Sequence, residues 1–179
     1  MTRIHNSAGG GAQTNANGLS YERKHHLRKA IIESNKYTVD SQEFVINTST
    51  NQKVGLLAPK YDFYKYLKKQ GVLWKKIVSK KYLSYEAFFN SHNKVLYIVE
   101  KKYQNVPGSV DEKLQTFPFK KERYENLVNH INYRVEFYFL GNSYFDKNMF
   151  TNIWNYFARN SIKKFIAMNI PLEAFGLLP

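Results

Sequence analysis

Val95-Leu-Tyr-Ile-Val-Glu-Lys-Lys-Tyr-Gln104 is the stretch on which the fold of this chain turns. The apolar run from Val95 to Val99 is the pattern of a strand covered on both faces, and it passes directly into charge. Because strand side chains alternate, Glu100, Lys102 and Gln104 share one face while Lys101 and Tyr103 point to the other. A carboxylate and an ammonium thus stand side by side where a buried strand leaves the core. Such a pair can hold a divalent cation through the carboxylate while the lysine orients and helps deprotonate an attacking water, the chemistry of phosphodiester hydrolysis. A plain ion pair at a strand end has the same Glu-x-Lys pattern.

The preceding segment, Tyr82-Leu-Ser-Tyr-Glu-Ala-Phe-Phe89, reads as a second strand, and Asn90-Ser-His-Asn93 makes the two a hairpin. A hydrolytic metal site wants a second carboxylate, and this strand offers only Glu86. With a loop of residues 91–94, Tyr85 faces Glu100; with a loop of residues 92–94, Glu86 faces it instead. Downstream, Ser109 followed by Glu112 is a capping box that starts a helix at Val110, and this helix N-terminus, with Lys113, is a candidate DNA-phosphate contact. Asp111 and Lys113 also have an Asp-x-Lys spacing, but on a helix they diverge. Residues 120–132 read as a helix. The segment Tyr133–Leu140 alternates as a half-buried strand, and residues 147–168 carry a helical apolar face with a break near Asn160-Ser161.

Upstream, residues 1–18 are a Gly/Asn-rich arm, and residues 19–179 form a single domain. The arm's glycines do not make a nucleotide loop, since no Gly-Lys-Ser/Thr follows them and no apolar strand precedes them. A helix is predicted from Ser20 to about Asn35 with Glu22 in its first turn, where the dipole favours an acid. Residues 42–53 read as short extended segments, and a helix spans Tyr61–Gln70, ended by Gly71. Lys60, Lys65, Lys68, Lys69, Lys75, Lys76, Lys80 and Lys81, interleaved with Tyr61, Tyr64, Tyr66 and Trp74, have the composition of a surface that contacts a nucleic-acid backbone. A solvated face whose lysine stems cover apolar surface has the same composition.

The charge balance agrees with a polyanionic partner. Among 179 residues, 27 Lys+Arg against 14 Asp+Glu leave a net charge of +13. Aromatic residues make up 16%, enough with the aliphatics to build a core rather than a disordered basic tail. There is no cysteine, which excludes disulfides, thiolate zinc sites and a cysteine nucleophile. The histidines show no zinc spacing, and no serine sits in a Gly-x-Ser-x-Gly elbow. No apolar run is long enough to span a membrane and Met1–Gly11 lacks the apolar centre of a secretory signal, so an intracellular protein is expected.

The run Tyr82 to Tyr124, with Glu100-Lys-Lys-Tyr-Gln104, Gly108-Ser-Val-Asp-Glu-Lys-Leu-Gln-Thr116 and Phe119-Lys-Lys-Glu-Arg-Tyr124, resembles the core of the PD-(D/E)XK nuclease superfamily, specifically type II restriction endonucleases. The arm running into Gly18-Leu-Ser-Tyr-Glu22 and the ending Ile170-Pro-Leu-Glu-Ala-Phe-Gly-Leu-Leu-Pro179 are also similar to such enzymes. The resemblance implies an α/β fold with a central mixed sheet of four or five strands flanked by helices. It further implies Mg²⁺-dependent cleavage of double-stranded DNA by a cytoplasmic prokaryotic protein acting as a homodimer, with no membrane and no nucleotide cofactor. By position, Glu100 binds metal, Lys102 positions the nucleophilic water, and Gln104 lines the same face behind the metal or against DNA. Glu22 sits where many members place an additional acid. From their basic composition, residues 120–123, with Lys120 and Lys121, and the Tyr-rich stretch Tyr61 to Tyr82 are candidate phosphate contacts. Where the family reads Pro-Asp-Glu before Ala-Phe, this chain has Ser84-Tyr85-Glu86, so a tyrosine stands in place of the metal-binding aspartate. Three consequences are open: Glu86 takes over through a register shift, Glu22 compensates, or the chain is a weakened or inactive nuclease that still binds DNA.

Overall fold

The computed structural model describes residues 26–107, 110–167 and 169–177. The arm at residues 1–18, Glu22 and Ser109 lie outside the described residues. The remainder builds an α/β architecture on one mixed sheet of seven strands in sequential order: β1 Tyr37–Val39, β2 Phe44–Asn47, β3 Lys53–Leu57, β4 Glu86–Asn90, β5 Val95–Lys102, β6 Arg134–Gly141 and β7 Ile162–Ile166. The first five pair antiparallel and the last three run parallel. Five helices accompany them: α1 Leu27–Glu33, α2 Tyr61–Lys69, α3 Val110–Leu114, α4 Phe117–Val128 and α5 Thr151–Arg159.

Seven strands correct the expected four or five, and the additions lie at the two edges. Residues 37–57 form a three-stranded meander with turns at residues 40–43 and 48–52. Asp40 shapes the first turn by accepting the backbone N–H groups of Gln42 and Phe44, both at 2.9 Å. At the other edge, the helix expected over residues 147–168 stops at Arg159. Ser161 takes a left-handed φ of 52°, and Ile162-Lys-Lys-Phe-Ile166 leaves the turn as β7. The break at Asn160-Ser161 was legible in the sequence, whereas the strand beyond it reads equally well as helix.

Each face of the sheet is covered. Ala87, Phe89, Leu96, Ile98, Phe137 and Phe139 pack with Phe63 and Leu67 of α2, Phe117, Tyr124 and Leu127 of α4, and Phe157 of α5. On the reverse face, Phe88, Tyr97, Val99, Tyr138 and Leu140 meet Leu27 and Ile31 of α1 and the C-terminal segment through Ile170, Phe175 and Leu177. This double covering is why β6, read from its alternation as half-buried, is buried along nearly its whole length. Its neighbours β5 and β7 complete the enclosure from the sides.

The sheet tolerates little added volume where Gly55 of β3 faces Asn90 of β4. A Cβ at Gly55 would lie 2.4 Å from the Phe89 carbonyl oxygen and 2.4 Å from the Phe88 ring, so Gly55→Ala is expected to cost about 1–3 kcal/mol, read by urea denaturation. Burial pushes the phenols of Tyr64 and Tyr133 up to about 12 from an ordinary 10.0. Their folded-state values lie above the unfolded one. Their stabilisation is therefore whole below pH 10 and is lost as the pH rises toward 12, so the melting temperature should fall across that window and recover on return to neutrality.

Candidate active site

The hairpin register decides which charged groups meet. Asn90 faces Val95 and Glu86 faces Val99, so the loop is residues 91–94. The turn is held from within: Asn90 Oδ1 accepts the N–H groups of His92 (2.9 Å) and Asn93 (3.3 Å), and Asn93 Oδ1 accepts that of Val95 (3.1 Å). One step past the last pair, the same register sets Tyr85 opposite Glu100. Glu86 is thereby placed on the other face of the sheet, which corrects its expected membership of one site with Glu100.

On the reverse face, Glu86 and Lys101 are both about 2% exposed and form an ion pair at 2.5 Å. The Glu86 carboxylate also accepts the Leu27 N–H at 3.2 Å, which sets it at the positive end of α1, and His26 Nδ1 lies 3.5 Å away. A cavity of about 20 Å³ adjoins these groups, the room one water needs. The arrangement is that of a satisfied buried charge, and it ties α1 to the sheet.

The front face carries the other set. Glu100 is 2% exposed, and its Oε1 accepts from Lys120 Nζ of α4 at 2.9 Å. Lys102, two residues along β5 and half-buried, projects from the same face, with its ammonium 5.3 Å from the centre of the Tyr85 ring. Lys60 lies 5.9 Å from the same ring centre. The segment leading to Tyr85 is gripped at Tyr82, whose N–H donates to Tyr64 Oη at 2.6 Å and whose carbonyl accepts the hydroxyls of Tyr124 (2.7 Å) and Tyr64 (3.2 Å). Burial, reinforced by the charge of Glu100, pushes the Tyr124 phenol far above its ordinary range and keeps it a donor.

These groups gather at the carboxyl ends of the parallel strands, the end of an α/β sheet where ligands bind. The exits of β5 and β6 are clamped together there. Asn142 Nδ2 donates to the Gln104 carbonyl at 2.8 Å and the Gln104 N–H donates to Asn142 Oδ1 at 3.2 Å. Gln104 itself is buried.

The basic residues divide. Lys75, Lys76, Lys80, Lys81 and Lys113 are exposed and have no carboxylate partner among the described residues. Lys81 lies 5.0 Å, 5.5 Å and 5.2 Å from the ring centres of Tyr61, Tyr64 and Trp74. Lys120 and Lys121 are not the free phosphate contacts expected of them. The first neutralises Glu100, and the second binds Glu125 (3.3 Å) and the Asn160 carbonyl (3.1 Å). Asn142 was missed in the sequence, where nothing local in Gly141-Asn142 signals its place beside Gln104, and Lys60 was read only as part of the basic stretch, with nothing local to bring it to Tyr85.

Among the described residues, no three His, Asp, Glu or Cys side chains converge as a metal site. Mg²⁺ in phosphoryl-transfer sites nevertheless takes only one or two carboxylates, completing its shell with water and substrate phosphate oxygens. Glu100 fits as one such donor once Lys120 releases Oε1, while the neutral Tyr85 phenol adds little. No helix among the described residues is long and apolar enough to cross a membrane. The chain matches no family model, no curated protein and no solved structure.

The reverse-face ion pair is separable from this front site. Lys101→Met strands a buried carboxylate and should cost about 3–5 kcal/mol in urea denaturation, most of it recovered in Lys101→Met/Glu86→Leu.

Proposed function

We propose that the chain is a Mg²⁺-dependent endonuclease of the type II restriction class, hydrolysing phosphodiester bonds in double-stranded DNA. The observation that carries the reading is the projection of Glu100 and Lys102 from one face of β5 at the carboxyl end of the parallel strands, beside a half-buried tyrosine. Glu100 would hold the ion, which when bound polarises the phosphate and acidifies a water ligand. Lys102 would orient the attacking water in line with the scissile bond through its ammonium. Lys120, released from Glu100, faces the charge developing on the phosphate. The exposed Lys75, Lys76, Lys80 and Lys113 track the DNA backbone in this reading, and the net charge of +13 steers the encounter. A homodimer would cut both strands of a palindromic site, since two-fold protein symmetry matches two-fold sequence symmetry. A prokaryotic cytoplasm is the setting that this function implies.

A second reading is a DNA-binding protein on a nuclease scaffold with cleavage weakened or lost. It is favoured by one observation: the register sets Tyr85, not an acid, opposite Glu100, and the carboxylate that remains is held by Lys120.

Incubation with unmethylated phage DNA separates the two. The enzyme reading expects discrete fragments with Mg²⁺ and none with EDTA. Glu100→Ala and Lys102→Ala should each lower cleavage by at least about a hundredfold while leaving the gel shift in place. Intact but shifted DNA under every condition would establish the binding protein instead, and Tyr85→Asp would then be expected to gain Mg²⁺-dependent cleavage.

A further inference from the structure

We infer that an aromatic and basic strip, running from Trp74 and Tyr61 across residues 80–82 to Phe119, holds an unpaired DNA strand by stacking its bases. That the strand is DNA rests on the proposed function, whereas its being unpaired rests on the exposed rings of the strip.

Each step along the strip is a measured contact. Lys81 Nζ lies 5.0 Å and 5.2 Å from the ring centres of Tyr61 and Trp74. Its neighbours in the chain carry the strip onward: Lys80 Nζ lies 5.8 Å from the Tyr82 ring centre, and the Tyr82 ring meets that of Phe119 edge to face with centres 6.0 Å apart. At the far end the Arg123 guanidinium, which also pairs with Glu122, lies 4.9 Å from the Phe119 ring centre. Tyr61 and Phe119 are 57% and 50% exposed, so each has ring surface open to water. Leu73 and Leu83, next to Trp74 and Tyr82 in the chain, are exposed as well. The backbone beneath is fixed, because the Tyr82 main chain is held by the hydroxyls of Tyr64 and Tyr124, and the strip is therefore in place before a ligand arrives.

The chemistry of the strip selects its occupant. An apolar protein face would cover the rings but desolvate the exposed Lys80 and Lys81 without a charge to pair with them. A duplex brings phosphates to those cations, but its base faces are closed within the stack, which leaves Tyr61 and Phe119 in water. An unpaired strand presents a π-face to each ring and a phosphate to each cation at once. Phe119 is followed in α4 by Lys120, whose ammonium lies 2.9 Å from Glu100, so the strip leads outward from the candidate active site.

The test is fluorescence anisotropy in EDTA, so that nothing is cut, with three labelled duplexes: one blunt, one with a short unpaired thymidine arm, and one with an abasic sugar-phosphate arm of the same length. The thymidine arm should tighten binding by about five- to thirtyfold over the blunt duplex, and the abasic arm should lose most of that gain. Phe119→Ala and Tyr61→Ala should each remove most of the gain at an unchanged salt slope, because no charge is lost. Phe119→Trp should keep it, which separates stacking from a folding defect. Tyr156→Ala, which removes an exposed ring on α5, should match the parent protein. Equal affinity for the thymidine and abasic arms, or a gain that survives both alanine variants, overturns the inference. A uridine ribonucleotide arm that binds more tightly than the thymidine arm makes the partner RNA and overturns it also. Cleavage of the blunt duplex on adding Mg²⁺ is read separately. Fragments without an effect of the arm leave the nuclease reading intact and the inference overturned, whereas an effect of the arm without fragments leaves the strip standing and the nuclease reading fallen.

Discussion

Asn90 faces Val95 across the hairpin, and because strand side chains alternate, that one pairing assigns every neighbouring residue of β4 and β5 to a face of the sheet. A slip by a single residue would carry Glu86 to the front beside Glu100 and turn Phe88 away from α1 and the C-terminal segment. The slip is resisted at both ends. Asn90 and Asn93 hold the turn through their side-chain oxygens, and Asn90 Nδ2 donates to the Phe175 carbonyl at 3.0 Å, which ties the hairpin to the C-terminal segment. At the other end, Lys101 and the N-terminus of α1 compensate a carboxylate that could not otherwise be buried.

The register thus separates two acid–base pairs that are adjacent in sequence. Glu86 with Lys101 is closed in by α1 and by the C-terminal segment, and the Leu27 N–H completes its contacts from the helix. Glu100 with Lys120 lies on the opposite face, where Lys102, Lys60 and Tyr85 gather at the carboxyl ends of the parallel strands. The first pair is buried on both sides, whereas the second lies beside the exposed exits of the strands.

Tyr85 connects the fold to the chemistry. Its segment is anchored by the hydroxyls of Tyr64 and Tyr124 on the main chain of Tyr82, so its place opposite Glu100 is set by packing under α2 and α4. Those phenols remain donors at neutral pH because burial disfavours their ionisation. The basic stretch Lys75 to Lys81 precedes this anchor, and Lys81, stacked among three aromatic rings, joins it to the start of α2.

Local pattern was enough for the elements whose signal is strong: α2 with Gly71 behind it at a φ of 80°, the β4–β5 hairpin, β5 with its charged exit, and β6. It was enough, too, to assign Glu100 and Lys102 to one face and Lys101 to the other, because alternation is a property of a single strand. It did not reveal β1 or β7, short segments that become strands only by pairing at the sheet edges. Nor did it place Lys60 and Asn142, or show that Lys120 and Lys121 are bound within the protein. The choice between Tyr85 and Glu86 as the neighbour of Glu100 also belonged to the tertiary structure. Both registers satisfy the alternation of each strand taken alone, and only the turn, the two packed cores and the burial of Glu86 against Lys101 distinguish them.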